Sequence, residues 1–309
     1  LTQDGEVLVE RGVSTGTRIE ADPITLSAGM SHRAITERIL ELADRAGYKA
    51  ALVDAVAGTV TAWPRFAWTI RAAAHGLGRR GLADGDTAGV FVHDAASFAI
   101  AVNAIRAAGA TALPIRPDTP VADLAAQLNA SGARLLITSA PLAELAAEAA
   151  DRSRVRQVFT FGEAAGTTSF RSLLNLGKHV AGEHGQPADA DCAGPGYAEP
   201  ATLTGAGLID AGSGLSLVDP RLACADQLTS AAGWPGLSQR DVVVAGPPCG
   251  EGQAYTSLLD LTLLTGATLV AAPVPLVTAA MRVYKGTAAI VPRGTDVAGV
   301  AADRVFAIA

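Results

Sequence analysis

Apolar residues along this chain recur in two alternating rhythms. Ile35, Ile39, Leu42 and Ala46 stand three or four apart behind Ser31 and stop at Gly47, which predicts an amphipathic helix with a serine cap. Two apolar runs, Ala50–Val56 and Val60–Trp63, flank Ala57-Gly58-Thr59 and predict a hairpin, after which Pro64 opens a helix over Arg65–Leu77. From there strands at Thr87–Val92, Thr111–Ile115, Leu135–Thr138 and Gln157–Thr160 alternate with helices at Ala96–Ala107, Val121–Ser131 and Leu142–Ala150. Alternation on this rhythm predicts an α/β chain with a parallel sheet covered by helices on both faces.

The rhythm breaks over residues 177–200, where Gly, Pro, Asp and two His gather in what reads as an exposed linker. It then resumes, with Ala201–Ile209 extended, Arg221–Ala232 helical, Asp241–Ala245 a strand, Tyr255–Leu264 a helix, and strands at Thr268–Ala272 and Ala288–Val291. The uncharged stretch Leu261–Met281 is long enough to span a membrane, but Gly266, Pro273 and Pro275 divide it into a helical piece and a buried strand. No membrane span is expected. Residues 1–30 show no clear period and read as an extension holding at most a short hairpin, and their opening on Leu1 is compatible with a junction from a longer polypeptide.

Composition narrows the function. With 309 residues, 49% apolar and only 17% charged, the chain has ample material for a core and is no disordered polymer. A net charge of −6 and no local block of Lys or Arg remove the electrostatic footprint of nucleic-acid binding. Cys192, Cys224 and Cys249 are odd in number and far apart, a pattern of buried thiols in a reducing compartment and so of a cytoplasmic protein.

Most ordinary catalytic motifs are broken. Gly205-Ala206-Gly207 begins a dinucleotide fingerprint whose third glycine is replaced by Asp210. Gly212-Ser213-Gly214 lacks the outer glycines of a nucleophile elbow, having Ala211 and Leu215 there. His179 and His184, with Asp189, Asp191 and Cys192 nearby, have the wrong spacing for a helical zinc pair and read as solvated loop residues, so no metal site is assigned. His93-Asp94 follows a strand end, where ligands bind in α/β sheets and where an Asp also caps the next helix. Trp63, Phe66 and Trp68 read as core, whereas Arg79-Arg80 and the arginines at 152, 154 and 156 read as a solvated face.

Five segments carry a resemblance, in order: Ala51-Leu-Val-Asp54, Arg80-Gly-Leu-Ala-Asp-Gly-Asp86, Ala104-Ile-Arg-Ala-Ala-Gly-Ala110, Leu113-Pro-Ile-Arg-Pro117 and Leu128-Asn-Ala-Ser-Gly-Ala-Arg-Leu-Leu-Ile-Thr138. Together they resemble the large N-terminal domain of the adenylate-forming superfamily, which includes acyl-CoA synthetases, aryl-CoA ligases, adenylation domains and luciferases. The resemblance implies two mixed, mostly parallel sheets sandwiched by helices, here truncated. Residues 1–30 are then an N-terminal extension and 31–309 the domain, with one lobe over about 72–176, a linker at 177–200, and a second lobe built from about 31–71 plus 201–309.

That family cradles ATP phosphates in a Thr/Ser/Gly-rich loop ending in Pro-Lys-Gly. Aligning Leu217-Val-Asp-Pro-Arg-Leu222 with the segment after that loop sets it over Gly205, Ala206, Gly207, Leu208, Ile209, Asp210, Ala211, Gly212, Ser213 and Gly214. The paired threonines become Leu208 and Ile209, the lysine becomes Ser213, and Asp210 adds a negative charge where polyphosphate would bind. Asp241–Pro248 is similar to the strand leading to the family's acyl-pocket border, which puts Cys249 and Gly250 at that border in place of an aromatic-histidine pair. Beyond Pro292 the family's adenine- and Mg²⁺-contacting motif, its ribose-binding aspartate and its mobile C-terminal domain have no counterpart here.

The resemblance therefore implies a catalytically inactive, acyl-CoA-synthetase-like pseudoenzyme, with no catalytic residue and no cofactor. It would serve as a binding or scaffolding lobe in a biosynthetic assembly of secondary metabolism, its partner an acyl group, a carrier protein or a second copy. One alternative is a split ATP-dependent acyl-adenylating ligase completed by a separate C-terminal domain, with ATP and Mg²⁺ as its cofactors and Ser213 and the glycines at the phosphate. Another is a dimerisation or docking module.

Overall fold

The computed structural model describes residues 32–177, 209–210, 216–217, 237–248, 252–295, 297 and 304–308. Two sheets organise them. The first takes β1 (Ala50–Asp54), β2 (Thr59–Ala62), β10 (Val242–Ala245), β11 (Thr268–Ala271), β12 (Ala288–Pro292) and β13 (Val305–Ile308) in the order β13-β12-β10-β11-β1-β2. All its neighbours are parallel except the β1–β2 hairpin. The second is wholly parallel, with β3 (Thr87–Phe91), β4 (Thr111–Pro114), β5 (Leu135–Ser139), β6 (Gln157–Phe161) and β7 (Thr168–Ser169) in the order β4-β3-β5-β6-β7. A small antiparallel pair, β8 (Ile209–Asp210) and β9 (Ser216–Leu217), is hydrogen-bonded to neither.

Helices form three layers around these sheets. Between them lie α1 (His32–Arg45), α2 (Trp63–Arg79), α3 (Ala95–Ala107), α6 (Arg171–Gly177) and α7 (Gly252–Leu264). The outer face of the second sheet is covered by α4 (Val121–Ala130) and α5 (Ala143–Asp151), and that of the first by α8 (Val277–Val283). The result is the α/β class expected of the sequence, two mostly parallel sheets sandwiched by helices.

The period of two within each strand explains this layering. In β10, Val243 and Ala245 enter the middle core while Val244 joins the outer one; in β5, Leu135 and Ile137 point inward and Leu136 outward. Strands buried on both faces therefore read as unbroken apolar runs. The boundaries follow local chemistry. Pro64 sits in the first turn of α2, Asp94 caps α3 by accepting from the Ser97 amide at 2.7 Å, and Gly109 at φ 83° reverses the chain after α3, a left-handed turn costly for any residue with a Cβ.

Trp63, Phe66 and Trp68 are buried in α2, the first two rings edge to face at 5.8 Å, as the core assignment requires. Arg79, Arg80, Arg152, Arg154 and Arg156 are exposed. The uncharged Leu261–Met281 stretch divides among α7, β11 and α8, and among the described residues no helix is long and apolar enough to cross a membrane. Five elements lie where the sequence pattern predicts none: β7, α6, β9, α8 and β13. The helix expected over Arg221–Ala232 lies outside the described residues, as does most of Ala201–Ile209 and of the 177–200 segment.

Candidate functional site

Parallel strands deliver their carboxyl ends, and the loops that follow, to one rim of a sheet, where ligands bind in open α/β folds. Here both sheets contribute to one cleft of about 190 Å³, lined by Asp54 at the end of β1, His93 and Asp94 after β3, Pro247 after β10, and Ala271, Ala272 and Pro273 at β11. Its polar groups are held from below. Asp54 Oδ1 accepts from the amides of Val56 (2.8 Å) and Ala57 (3.0 Å), closing the hairpin turn. The Tyr255 hydroxyl donates to the Gly246 carbonyl at 2.7 Å and so fixes the end of β10.

His93 is the most exposed polar group of the rim. Its Nδ1 lies 2.6 Å from Ser139 Oγ at the end of β5, and its backbone amide donates to the same oxygen at 3.2 Å. Asp94 Oδ2 stands 3.5 Å from Nδ1. A serine–histidine–carboxylate relay requires serine and carboxylate on opposite ring nitrogens. Here both address Nδ1 and Ser139 is buried, so the trio positions the ring and does not make a nucleophile. The cleft has two carboxylates and an imidazole, and among the described residues no Lys or Arg lines it. An open groove of about 440 Å³ beside α4 contains Arg116, but that guanidinium is paired to Asp118 at 2.6 Å, which holds the Asp118 carboxyl below the usual range.

Of the residues assigned to the degenerate phosphate loop, Asp210 lies in β8, opposite Ser216 and beside β4 and α7. Gly205, Gly207, Gly212, Ser213 and Gly214 lie outside the described residues, as do Cys249 and Gly250 at the acyl-pocket border and the group His179, His184, Asp189, Asp191 and Cys192. Among the described residues no cluster of three His, Cys, Asp or Glu could hold a metal. The base of α7 approaches β4 closely, since a Cβ on Gly252 would meet Pro114 Cβ at 2.9 Å. β8, the end of β4 and the start of α7 thus converge.

The sequence pattern missed one polar constellation entirely. Arg106 of α3, fully buried, donates from Nη1 to both oxygens of Asp260 of α7 at 3.0 and 2.9 Å, and from Nη2 to His32 Nδ1 of α1 at 3.1 Å. Burial raises the Asp260 carboxyl, with the Arg106 charge pulling it back. One turn along, Thr36 donates to Asn103 Oδ1 at 2.7 Å. Arg106 and Asp260 are 154 positions apart, so no local period could announce them.

Comparison with known proteins gives this geometry its class. The chain has the fold of the N-terminal domain of acyl-CoA synthetases. It superposes on a long-chain-fatty-acid-CoA ligase from Archaeoglobus fulgidus with a TM-score of 0.65 at 20% identity, covering 84% of this chain and 51% of that one. A benzoate CoA ligase from Burkholderia xenovorans matches at TM-score 0.61 and 18% identity over 84% and 50%, and an amide bond synthetase from Marinactinospora thermotolerans at 0.61 and 17% over 85% and 48%. The chain spans about half the length of these enzymes. Residues 41–190 match the family described as AMP-binding enzyme. No curated protein matches it in sequence.

Proposed function

We propose that this adenylate-forming-type domain does not adenylate, and works as a binding or scaffolding lobe for an acyl group or its carrier within a biosynthetic assembly. The observation that carries the reading is the segment 205–214, where Leu208 and Ile209 stand in place of hydroxyls, Ser213 in place of the lysine, and Asp210 adds a negative charge. Adenylyl transfer is achieved by positioning and by electrostatic stabilisation of phosphate charge, so removing donors and cation together removes most of the rate enhancement. No lysine falls within the segment itself. The sequence has three, of which Lys49 is tied to the carbonyls of Gln239 and Gly266, while Lys178 and Lys285 are remote in sequence from the loop.

A second reading is favoured by the glycines at 205, 207, 212 and 214, whose amides suit a phosphate and would serve a ligase completed by a separate C-terminal domain. Acid-dependent exchange of pyrophosphate into ATP separates the two. With a panel of aliphatic and aromatic acids, and with a supplied C-terminal domain from an acyl-CoA ligase, the chain is expected to give background exchange. Calorimetric titration of MgATP should give no saturable heat. Acid-dependent exchange would overturn the inactive reading. Titration of acyl-CoAs and acylated carrier protein tests the positive half, since uniformly absent binding would remove the receptor role.

A further inference from the structure

The seam between the two sheets contains a histidine whose charge state the geometry dictates, and the consequence is independent of whether the domain binds ATP. His32 opens α1 and is 1% exposed, Arg106 is 0% and Asp260 2% exposed. A guanidinium has only protons to give, so His32 Nδ1, 3.1 Å from Arg106 Nη2, is an acceptor and the imidazole is neutral with its proton on Nε2. A proton at Nδ1 would abolish that hydrogen bond and set two buried cations 3.1 Å apart.

The neighbouring helices set the charge around it. α3 presents Arg106. α7 presents Asp260, both of whose oxygens are engaged by Arg106, and Tyr255, which is committed to the Gly246 carbonyl. α2 brings its Arg71 to Asp44, near the far end of α1. On α1 itself Arg33 pairs with Glu37 at 2.7 Å. We propose that the N-terminal turn of α1 is an acid-sensitive latch: protonation of His32 at Nδ1 expels that turn from between α3 and α7 while both sheets remain folded.

The direction follows from linkage. Burial first, and the Arg106 charge second, hold the closed imidazole down at about 2, against an ordinary value of 6.5. A released His32 regains its ordinary value, so the open form binds more protons throughout that interval. The latch is held fully above 6.5 and loosens as pH falls through it. Between pH 7 and pH 5 the open-to-closed ratio rises about 25-fold.

Hydrogen exchange on the full chain at both pH values, corrected for intrinsic exchange rates, tests this. The amides of the first turns of α1 are expected to lose protection about 25-fold while those of β3 and β5 keep theirs. The His32→Asn variant, whose Oδ1 replaces Nδ1 as acceptor without titrating, should remove the pH dependence. Equal loss in the variant, loss shared by β3 and β5, or unchanged α1 amides would overturn the latch. Should the variant not fold, the wild-type His32 ring resonances decide. A released-state set growing below pH 6 supports the latch, and a ring that titrates in place with α1 unmoved refutes it.

Discussion

At the scale of single residues, two glycines in one helix show how closely the middle layer is packed. A Cβ on Gly76 of α2 would lie 2.4 Å from the Leu173 carbonyl oxygen and 2.7 Å from its Cα, so α6 itself would have to move. On Gly78, two residues further, it would meet nothing within 4 Å. The same change should therefore have opposite signs. Gly76→Ala gains helix propensity but forces two backbones apart and should cost about 2 kcal/mol net, whereas Gly78→Ala should gain a few tenths to about 1 kcal/mol. Urea midpoints at constant m-value measure both. Two stabilised variants would mean that α2 and α6 are not in contact. Sequence alone shows two glycines in a helical pattern and cannot assign either sign, because the difference lies in a helix nearly one hundred positions away.

At the scale of elements, the buried pair Arg106–Asp260 binds α3 to α7, and its worth is in the completeness of the pairing. Asp260→Asn leaves a guanidinium charged and without its carboxylate in a dry seam, and should cost about 3–5 kcal/mol. Replacing both partners, as Arg106→Met with Asp260→Leu, should recover most of that, leaving about 1 kcal/mol for His32 Nδ1 without its donor. A double variant no more stable than the single one would mean that the pair supplies net stability beyond its own desolvation. Elements of this kind mark the boundary of what the chain makes legible. The alternation from β3 to β6 is plain because each helix there buries a full stripe and each strand is apolar on both faces. The elements missed are short: α6 and α8 have seven residues each and β7 has two. α8 starts on β-branched Val277 and Thr278 behind Pro273 and Pro275, so local propensity argues against a helix that packing of Val277, Ala280 and Met281 against the first sheet selects. The site divides likewise. His93-Asp94 at a strand end is visible in sequence, while Ser139, which orients the ring from 46 positions away, is not.

At the scale of the whole molecule, the question is whether two sheets amount to two folding units. The linker-like composition of residues 177–200 suggests lobes that unfold separately. The core argues otherwise. A single apolar cluster runs from Ile35 and Leu52 through Phe66, Val90 and Phe98 to Val243, Leu269 and Ile290, taking residues from both sheets and from every middle-layer helix. Neither sheet can lose its inner face without exposing the other, so unfolding should be one cooperative transition. Phe98 of α3 and Tyr255 of α7 meet edge to face at 5.2 Å within this layer, which makes Phe98 the position at which to test the coupling. Phe98→Ala should cost about 3–5 kcal/mol. It should shift the tryptophan fluorescence transition, to which Trp63 and Trp68 of α2 contribute together with Trp234, and the far-ultraviolet circular dichroism transition, which all elements report, by the same denaturant increment. Coincident curves before and after substitution would establish that the helices between the sheets are the common core. Separation of the two probes in the variant would show instead that each sheet retains a stable core on its outer face, with α4 and α5 sufficing for one and α8 for the other.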